Sequence, residues 1–126
     1  MLFVGESPPA GKTFFYWGNS KLFNCTQKAF QIVYGSSCGN GDDFLKFFRT
    51  LGCFLDDLCA EPVNRLEASV KKQKRMEGIC SLRSRLALMD PAAIVVVMKD
   101  IQKPVQQAME LVHINYQPYV LPFPAY

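Results

Sequence analysis

Short, continuous apolar runs alternate along this chain with longer segments of helical periodicity. The clearest run is residues 94–97, four β-branched residues in succession, which is typical of a strand buried on both faces. Residues 1–4 form a similar run that stops at Gly5. Residues 119–121 are also apolar, as are residues 53–59 except for Asp56 and Asp57, and both runs are followed closely by prolines. We therefore predict four short strands, one at each of these positions.

Apolar residues spaced three and four apart predict helices in the segments between the strands. The predicted helices cover residues 20–35, 42–51, 66–70, 79–89 and 102–112. A charged stretch at residues 71–75 and Gly78 lie between the third and the fourth of these. Because glycine is a poor helix former, we expect the helical pattern to be broken there.

Strands that alternate with helices form a parallel sheet with helices on both faces. We therefore predict an α/β protein, a three-layer α/β/α sandwich around a short parallel four-stranded sheet. A length of 126 residues suits a single domain over residues 1–126. Ligands of such sheets bind beyond the carboxyl ends of the strands. The candidate site is therefore formed by the loops 5–18, 56–64, 99–100 and 122–126.

The composition argues against several classes of protein. A hydrophobic fraction of 49% and a charged fraction of 20% are ordinary for a globular domain. The five cysteines contain no CxxC pair, so we expect no metal site and no cofactor, and buried thiols in a reducing compartment. No apolar stretch reaches membrane-spanning length, and the opening run is too short for a signal peptide. We expect a cytoplasmic protein that contacts no membrane.

The loop after the first predicted strand nearly matches a phosphate-binding loop. Gly5 and the run Gly-Lys-Thr at residues 11–13 approximate the motif of P-loop nucleotidases, which has four residues between its glycines. Here five residues separate the glycines, and two prolines remove amide donors. In this alternative a phosphotransferase would hold phosphate with Lys12 and magnesium with Asp57 or Asp100.

The same loop resembles the first motif of the uracil-DNA glycosylase superfamily. The likeness lies in residues 2–8, Leu-Phe-Val-Gly-Glu-Ser-Pro, followed by the aromatic cluster 14–16 and a helix opening at Leu22. The order of elements and the proline-rich residues 121–125 are also similar. The resemblance implies a protein that extrudes a base from DNA into a pocket and cleaves its bond to the sugar. A mild net charge of +3 is compatible with such a partner.

The resemblance also assigns residues to the site. Phe14 or Phe15 would stack on the base, and Asp57 or Asn64 would contact its edge. An aspartate there favours a ring that presents hydrogen-bond donors. The residues assigned to base or ligand binding are Gly5, Ser7, Pro8, Phe14, Phe15, Tyr16, Asn64, Phe123 and Pro124.

Glu6 and Asp57 are the candidate catalytic residues, because the resemblance implies a carboxylate or amide that positions the water. Glu6 could instead brace the loop through hydrogen bonds. The final loop has Phe123 before Pro124 where many members of the superfamily have a histidine, and the chain stops at Tyr126 where they continue into a further helix. The alternative is a non-catalytic domain of the same fold that binds nucleic acid or a protein, and a homodimer is a further expectation.

Overall fold

The computed structural model describes residues 1–123, which contain a four-stranded parallel sheet. Its strands are β1 (Leu2–Gly5), β2 (Phe54–Asp57), β3 (Ile94–Val96) and β4 (Tyr119–Val120). Their order across the sheet is β2-β1-β3-β4. Leu2 is in register with both Phe54 and Ile94, so the carboxyl ends of β1, β2 and β3 lie together at one edge. The predicted parallel four-stranded sheet is confirmed.

Four α-helices accompany these strands in residues 1–123, namely α1 (Lys21–Tyr34), α2 (Asp42–Thr50), α3 (Ala68–Met89) and α4 (Gln102–Leu111). Both α1 and α2 lie between β1 and β2 along the chain. Ser20 caps α1, because its hydroxyl accepts a hydrogen bond of 3.0 Å from the Phe23 amide. A 3-10 turn at Phe15–Trp17 precedes this cap.

The helices pack on the two faces of the sheet through separate sets of buried side chains. Alternate residues of β1 point to opposite faces: Leu2 and Val4 belong to an aliphatic cluster with side chains of α3 and α4. Phe3 packs instead against an aromatic cluster from α1 and α2 that includes Phe44 and Phe48. The predicted three-layer sandwich is confirmed.

The predicted break between two helices at residues 71–78 is wrong. α3 is one continuous helix of 22 residues that includes Gly78. A methyl group added to Gly78 would lie 2.4 Å from the carbonyl oxygen of Leu58. Glycine therefore allows α3 to approach the chain after β2 closely. The contact between the helix and the sheet outweighs the weak intrinsic helix propensity of glycine.

The second strand is shorter than predicted, because residues beyond Asp57 leave the sheet. Their amides still bond to the loop after β1: Leu58 donates to the Gly5 carbonyl and Cys59 to the Glu6 carbonyl, both at 2.8 Å. All five cysteines are free thiols, but only Cys38 and Cys59 are buried, so the expectation that most of them are buried is wrong. None of the helices in the described part of the chain is both long and apolar enough to cross a membrane.

Candidate functional site

A cavity of about 360 Å³ opens beyond the carboxyl ends of β1, β2 and β3. The loops after β1 and β2 form much of its wall, and the first turns of α1 and α3 and the segments after β3 and β4 also line it. This is the position expected for the ligand of a parallel sheet. The volume lies in the range of roughly 300–1,000 Å³ that is usual for small-molecule sites.

Most of the residues that the sequence assigns to the site line this cavity. They are Gly5, Glu6, Ser7, Pro8, Phe14, Phe15, Asp57, Asn64 and Phe123. Tyr16 does not line it, and Pro124 lies outside the described residues.

Side-chain hydrogen bonds join the loop after β1 to the loop after β2. The Ser7 hydroxyl accepts from the Val63 amide, and Oδ1 of Asn64 accepts from the Ala10 amide, each at 3.2 Å. The two loops therefore support each other around the cavity. Among residues 1–123, no hydrogen bond engages the amide nitrogen of Asn64, which leaves a donor at the cavity wall.

The two candidate stacking residues differ in exposure. Phe15 is only 3% exposed and packs edge-on against Phe23 at a centroid distance of 5.6 Å. Phe14 is half-buried, and its ring meets Trp17 edge-on at 5.5 Å. Its amide donates to Oδ1 of Asn19 at 2.9 Å, which fixes the turn. The ring of Phe14 is thus the more accessible of the two, while the buried ring of Phe15 supports the wall of the cavity.

Tyr16 stabilises the edge of the sheet. Its hydroxyl donates to the Leu55 carbonyl at 2.8 Å and accepts from the Leu55 amide at 2.6 Å. Because β2 is an edge strand, this hydroxyl satisfies main-chain groups that no neighbouring strand reaches. Burial is the main cause that raises the pKa of Tyr16 to about 12; the hydrogen bond with Leu55 lowers the pKa, and the nearby charges of Asp56 and Asp57 raise it.

Glu6 is engaged by a cation. Nε of Arg75, on α3, donates to Oε2 of Glu6 at 2.5 Å, and a second nitrogen of the same guanidinium contacts that oxygen. The side chains are only 10% and 17% exposed, for Glu6 and Arg75 respectively. Glu6 therefore connects the loop after β1 to α3, as a bracing residue would.

Of the two carboxyl groups that line the cavity, that of Asp57 is the less engaged by the protein. Asp57 lies over Gly5, where an added methyl group would meet Oδ1 of Asp57 at 2.7 Å, so a side chain at residue 5 would displace it. Hydrogen bonds hold its main chain to Asp56 and Arg85, whereas none from residues 1–123 reaches its carboxyl oxygens.

The environment raises the pKa of Asp57 to about 7. Burial is the largest cause, because desolvation disfavours the charged form. The carboxylate of Asp56 raises the pKa as well, the Arg85 guanidinium lowers it, and Glu6 raises it. Both the protonated and the ionised carboxyl are therefore populated at neutral pH, which suits a group that exchanges a proton with a ligand.

Several cavity residues carried no signal in the sequence. Lys21 and Lys71 lie in the first turns of α1 and α3 and line the cavity, as does Met98 after β3. Nζ of Lys21 lies 5.9 Å from the ring centroid of Phe123. Helical periodicity cannot reveal which first-turn residue faces a cavity, because that depends on where the helix is placed on the sheet.

The phosphate-binding alternative requires a helix that begins at residues 11–13, and the chain forms none there. In a P-loop the Gly-Lys-Thr run opens a helix whose amides surround the phosphates. Here residues 11–13 lie in the loop, and α1 begins only at Lys21, after the 3-10 turn Phe15–Trp17. Within the described residues, no cluster of three or more histidine, cysteine or acidic side chains could hold a metal ion.

Comparisons with protein-family models, curated proteins and solved structures found no match to this chain.

Proposed function

We propose that this protein binds a base of a DNA strand in the cavity and hydrolyses the bond between that base and its sugar. The observation that carries the proposal is the meeting of an accessible aromatic ring, Phe14, and an unengaged carboxyl group, Asp57, in one cavity at the strand ends. A flipped base needs an aromatic face to stack on and polar groups that read its edge.

The polar groups of the cavity fit a base with a hydrogen-bond donor on its edge. The ionised Asp57 accepts hydrogen bonds, and the protonated form both donates and accepts. The amide nitrogen of Asn64 supplies a donor for a ring carbonyl. Lys21 and Lys71 line the same cavity and carry the positive charge that favours a phosphate backbone at its mouth.

Asp57 is the better of the two candidate bases for the hydrolytic step. Glu6 is held by Arg75, whereas the carboxylate of Asp57 is available to take a proton from water. The water oxygen then bonds to the sugar carbon C1′ as the bond from C1′ to the base nitrogen breaks. The base leaves with the bonding electron pair, and a donor such as Asn64 would stabilise its developing negative charge.

The test is incubation of the protein with single-stranded oligonucleotides that carry uracil, hypoxanthine or xanthine, scored by strand cleavage at the abasic sites formed. We expect Asp57→Asn to lower the cleavage rate by about 100-fold or more. Asp90→Asn is the matched control, because Asp90 is exposed at the far end of α3 in a left-handed conformation that asparagine also adopts. Cleavage that Asp57→Asn leaves unchanged would contradict the proposal.

A second candidate is a domain that binds the base without cleaving it. The engagement of Glu6 by Arg75 favours it, because only one carboxylate of the cavity is left for chemistry. Salt-sensitive binding of the oligonucleotides without cleavage would support this candidate. An RNA oligonucleotide of the same sequence, run in parallel, tests the choice of DNA.

A further inference from the structure

Two charged neighbours, Asp56 and Arg85, form hydrogen bonds with the main chain of Asp57. Oδ1 of Asp56 accepts from the Asp57 amide at 2.8 Å. Nη2 of Arg85, on α3, donates to the Asp57 carbonyl at 2.6 Å. Nε of Arg85 donates to Oδ2 of Asp56, also at 2.6 Å. Asp56 and Arg85 thus contact both the amide and the carbonyl of Asp57 and are joined to each other.

We propose that Arg85 and Asp56 are positioning residues that hold the Asp57 carboxyl group in the cavity and balance its protonation, an inference that rests on the proposed function. Neither residue lines the cavity. They act through the main chain of Asp57 and through their opposite charges.

The contacts of Arg85 require the fork of a guanidinium group. Its third nitrogen, Nη1, donates to the hydroxyl of Ser81, one turn earlier in α3. All three guanidinium nitrogens are therefore used, each toward a different acceptor. A lysine ammonium is a single point charge and cannot span the Asp56 carboxylate and the Asp57 carbonyl in this planar arrangement.

The charges around Asp57 oppose one another. Asp56 on β2 and Glu6 after β1 disfavour a second negative charge, while Arg85 favours it. Tyr16 and Cys59 also interact electrostatically with Asp57, and Lys21 and Lys71 line the same cavity. Arg85 and Asp56 are the two of these whose geometry also fixes the Asp57 backbone.

A purely structural contact between α3 and β2 makes a different prediction. If the contact only stabilised the fold, substituting either partner would lower stability and leave oligonucleotide binding by the folded protein in place. A positioning and balancing role requires loss of the guanidinium fork to weaken that binding. It also requires the two substitutions to move the titration of Asp57 in opposite directions, because they remove charges of opposite sign.

The experiment follows the carboxyl ¹³C resonance of Asp57 with pH, in protein labelled at aspartate and with the resonance assigned by its loss in Asp57→Asn. We expect Arg85→Met to raise the apparent pKa by about 1 unit and Asp56→Asn to lower it by about 1 unit. Arg83→Met is the matched control, since Arg83 is exposed on the same helix, and it should leave the titration unchanged. Shifts in the same direction, or no shift in either variant, would overturn the proposal.

Arg85→Lys is the second variant, chosen because it keeps the charge and disturbs the fold least. We expect its Asp57 titration to stay closer to that of the original protein than the titration of Arg85→Met does, while oligonucleotide affinity falls at least about threefold through loss of the fork. Unchanged affinity would contradict the positioning role. If the opposed titration shifts occur but the unsubstituted protein binds no oligonucleotide, the electrostatic arrangement stands and the proposed function fails.

Discussion

At the scale of single residues, the chemistry of this protein depends on what surrounds a side chain more than on its type. Asp56 and Asp57 are adjacent and identical in type, yet Asp56 pairs with Arg85 while Asp57 faces the cavity. Their position after an apolar run identified a strand end. It could not show which of them is desolvated, because the ion pair is formed by an arginine of α3 that lies 29 residues further along the chain.

The raised pKa of Asp57 predicts that this residue costs stability at neutral and alkaline pH. Its pKa is 3.8 in the unfolded chain and about 7 in the folded one, so between these values the folded state binds more protons. The contribution of Asp57 to stability therefore falls as the pH rises from about 4 to 7. We expect Asp57→Asn to raise the free energy of unfolding by about 1–3 kcal/mol at pH 8 and by much less at pH 4.5.

Urea denaturation at both pH values measures this effect. Asp90→Asn again serves as the control, because exposed Asp90 should give the same small change at each pH. An equal effect of Asp57→Asn at the two pH values would contradict a desolvated carboxyl group.

Tyr16→Phe should destabilise the protein while leaving ligand binding in the cavity largely unchanged. The substitution removes the hydroxyl that bonds both the amide and the carbonyl of Leu55, at an expected cost of about 1–2 kcal/mol. The ligand affinity of the folded variant should differ from that of the unsubstituted protein by less than about twofold, since Tyr16 lies outside the cavity. Chemical denaturation is the measurement, and Tyr119→Phe on the exposed edge strand β4 is the control.

At the scale of elements, α3 organises the site. Its arginines reach the loop after β1 through Glu6 and the end of β2 through Asp56, and Gly78 brings the helix close to Leu58. The sequence predicted helical segments here but not one helix, because glycine and clustered charge weaken the local signal. Contacts with the sheet, which local periodicity does not contain, hold α3 together.

Gly78→Ala should therefore destabilise the protein although alanine is the better helix former. In an unobstructed helix the change would gain about 1 kcal/mol. Here the new methyl group would lie 2.4 Å from the Leu58 carbonyl oxygen, and we expect a net loss of about 1–3 kcal/mol. Thermal denaturation measures it, with Lys72→Ala at an exposed position of α3 as the control. A stabilised Gly78→Ala protein would contradict the close contact.

The Glu6 and Arg75 pair can be measured by a double-mutant cycle. Each single substitution, Glu6→Gln or Arg75→Met, leaves a largely buried partner without its counter-charge and should cost about 1–3 kcal/mol. The double variant should cost less than the sum of the two, by about 1–2 kcal/mol. Strict additivity in urea denaturation would show that the contact contributes nothing to the placement of the loop.

At the scale of the whole molecule, the sheet separates two cores of different composition. The face toward α3 and α4 is aliphatic, whereas the face toward α1 and α2 is built from phenylalanine rings. Phe44 and Phe48 lie in contact within the aromatic cluster, with ring centroids 5.8 Å apart. Ile94, on β3, is fully buried in the aliphatic cluster.

Substitutions on opposite faces should therefore be independent. We expect the costs of Phe44→Leu and Ile94→Val, about 1–2 and 0.5–1.5 kcal/mol, to add within about 0.5 kcal/mol when combined. Phe44→Leu combined with Phe48→Leu should depart from additivity, because the two rings touch. Equal coupling in both pairs would contradict two separate clusters. Urea denaturation of the single and double variants decides this.

The sequence by itself determined the four strands, three of the four α-helices and the edge of the sheet at which the cavity lies. Four short strands separated by helical segments admit few arrangements other than a parallel sheet, and such a sheet brings the carboxyl ends of its strands together. The positions of Phe14, Asp57 and Asn64 at the cavity followed from that rule. Tertiary structure alone decided that Tyr16 bonds to an edge strand and that Glu6 pairs with Arg75. Those contacts join residues 39 and 69 positions apart, and local patterns of side chains carry no information about which distant groups will meet.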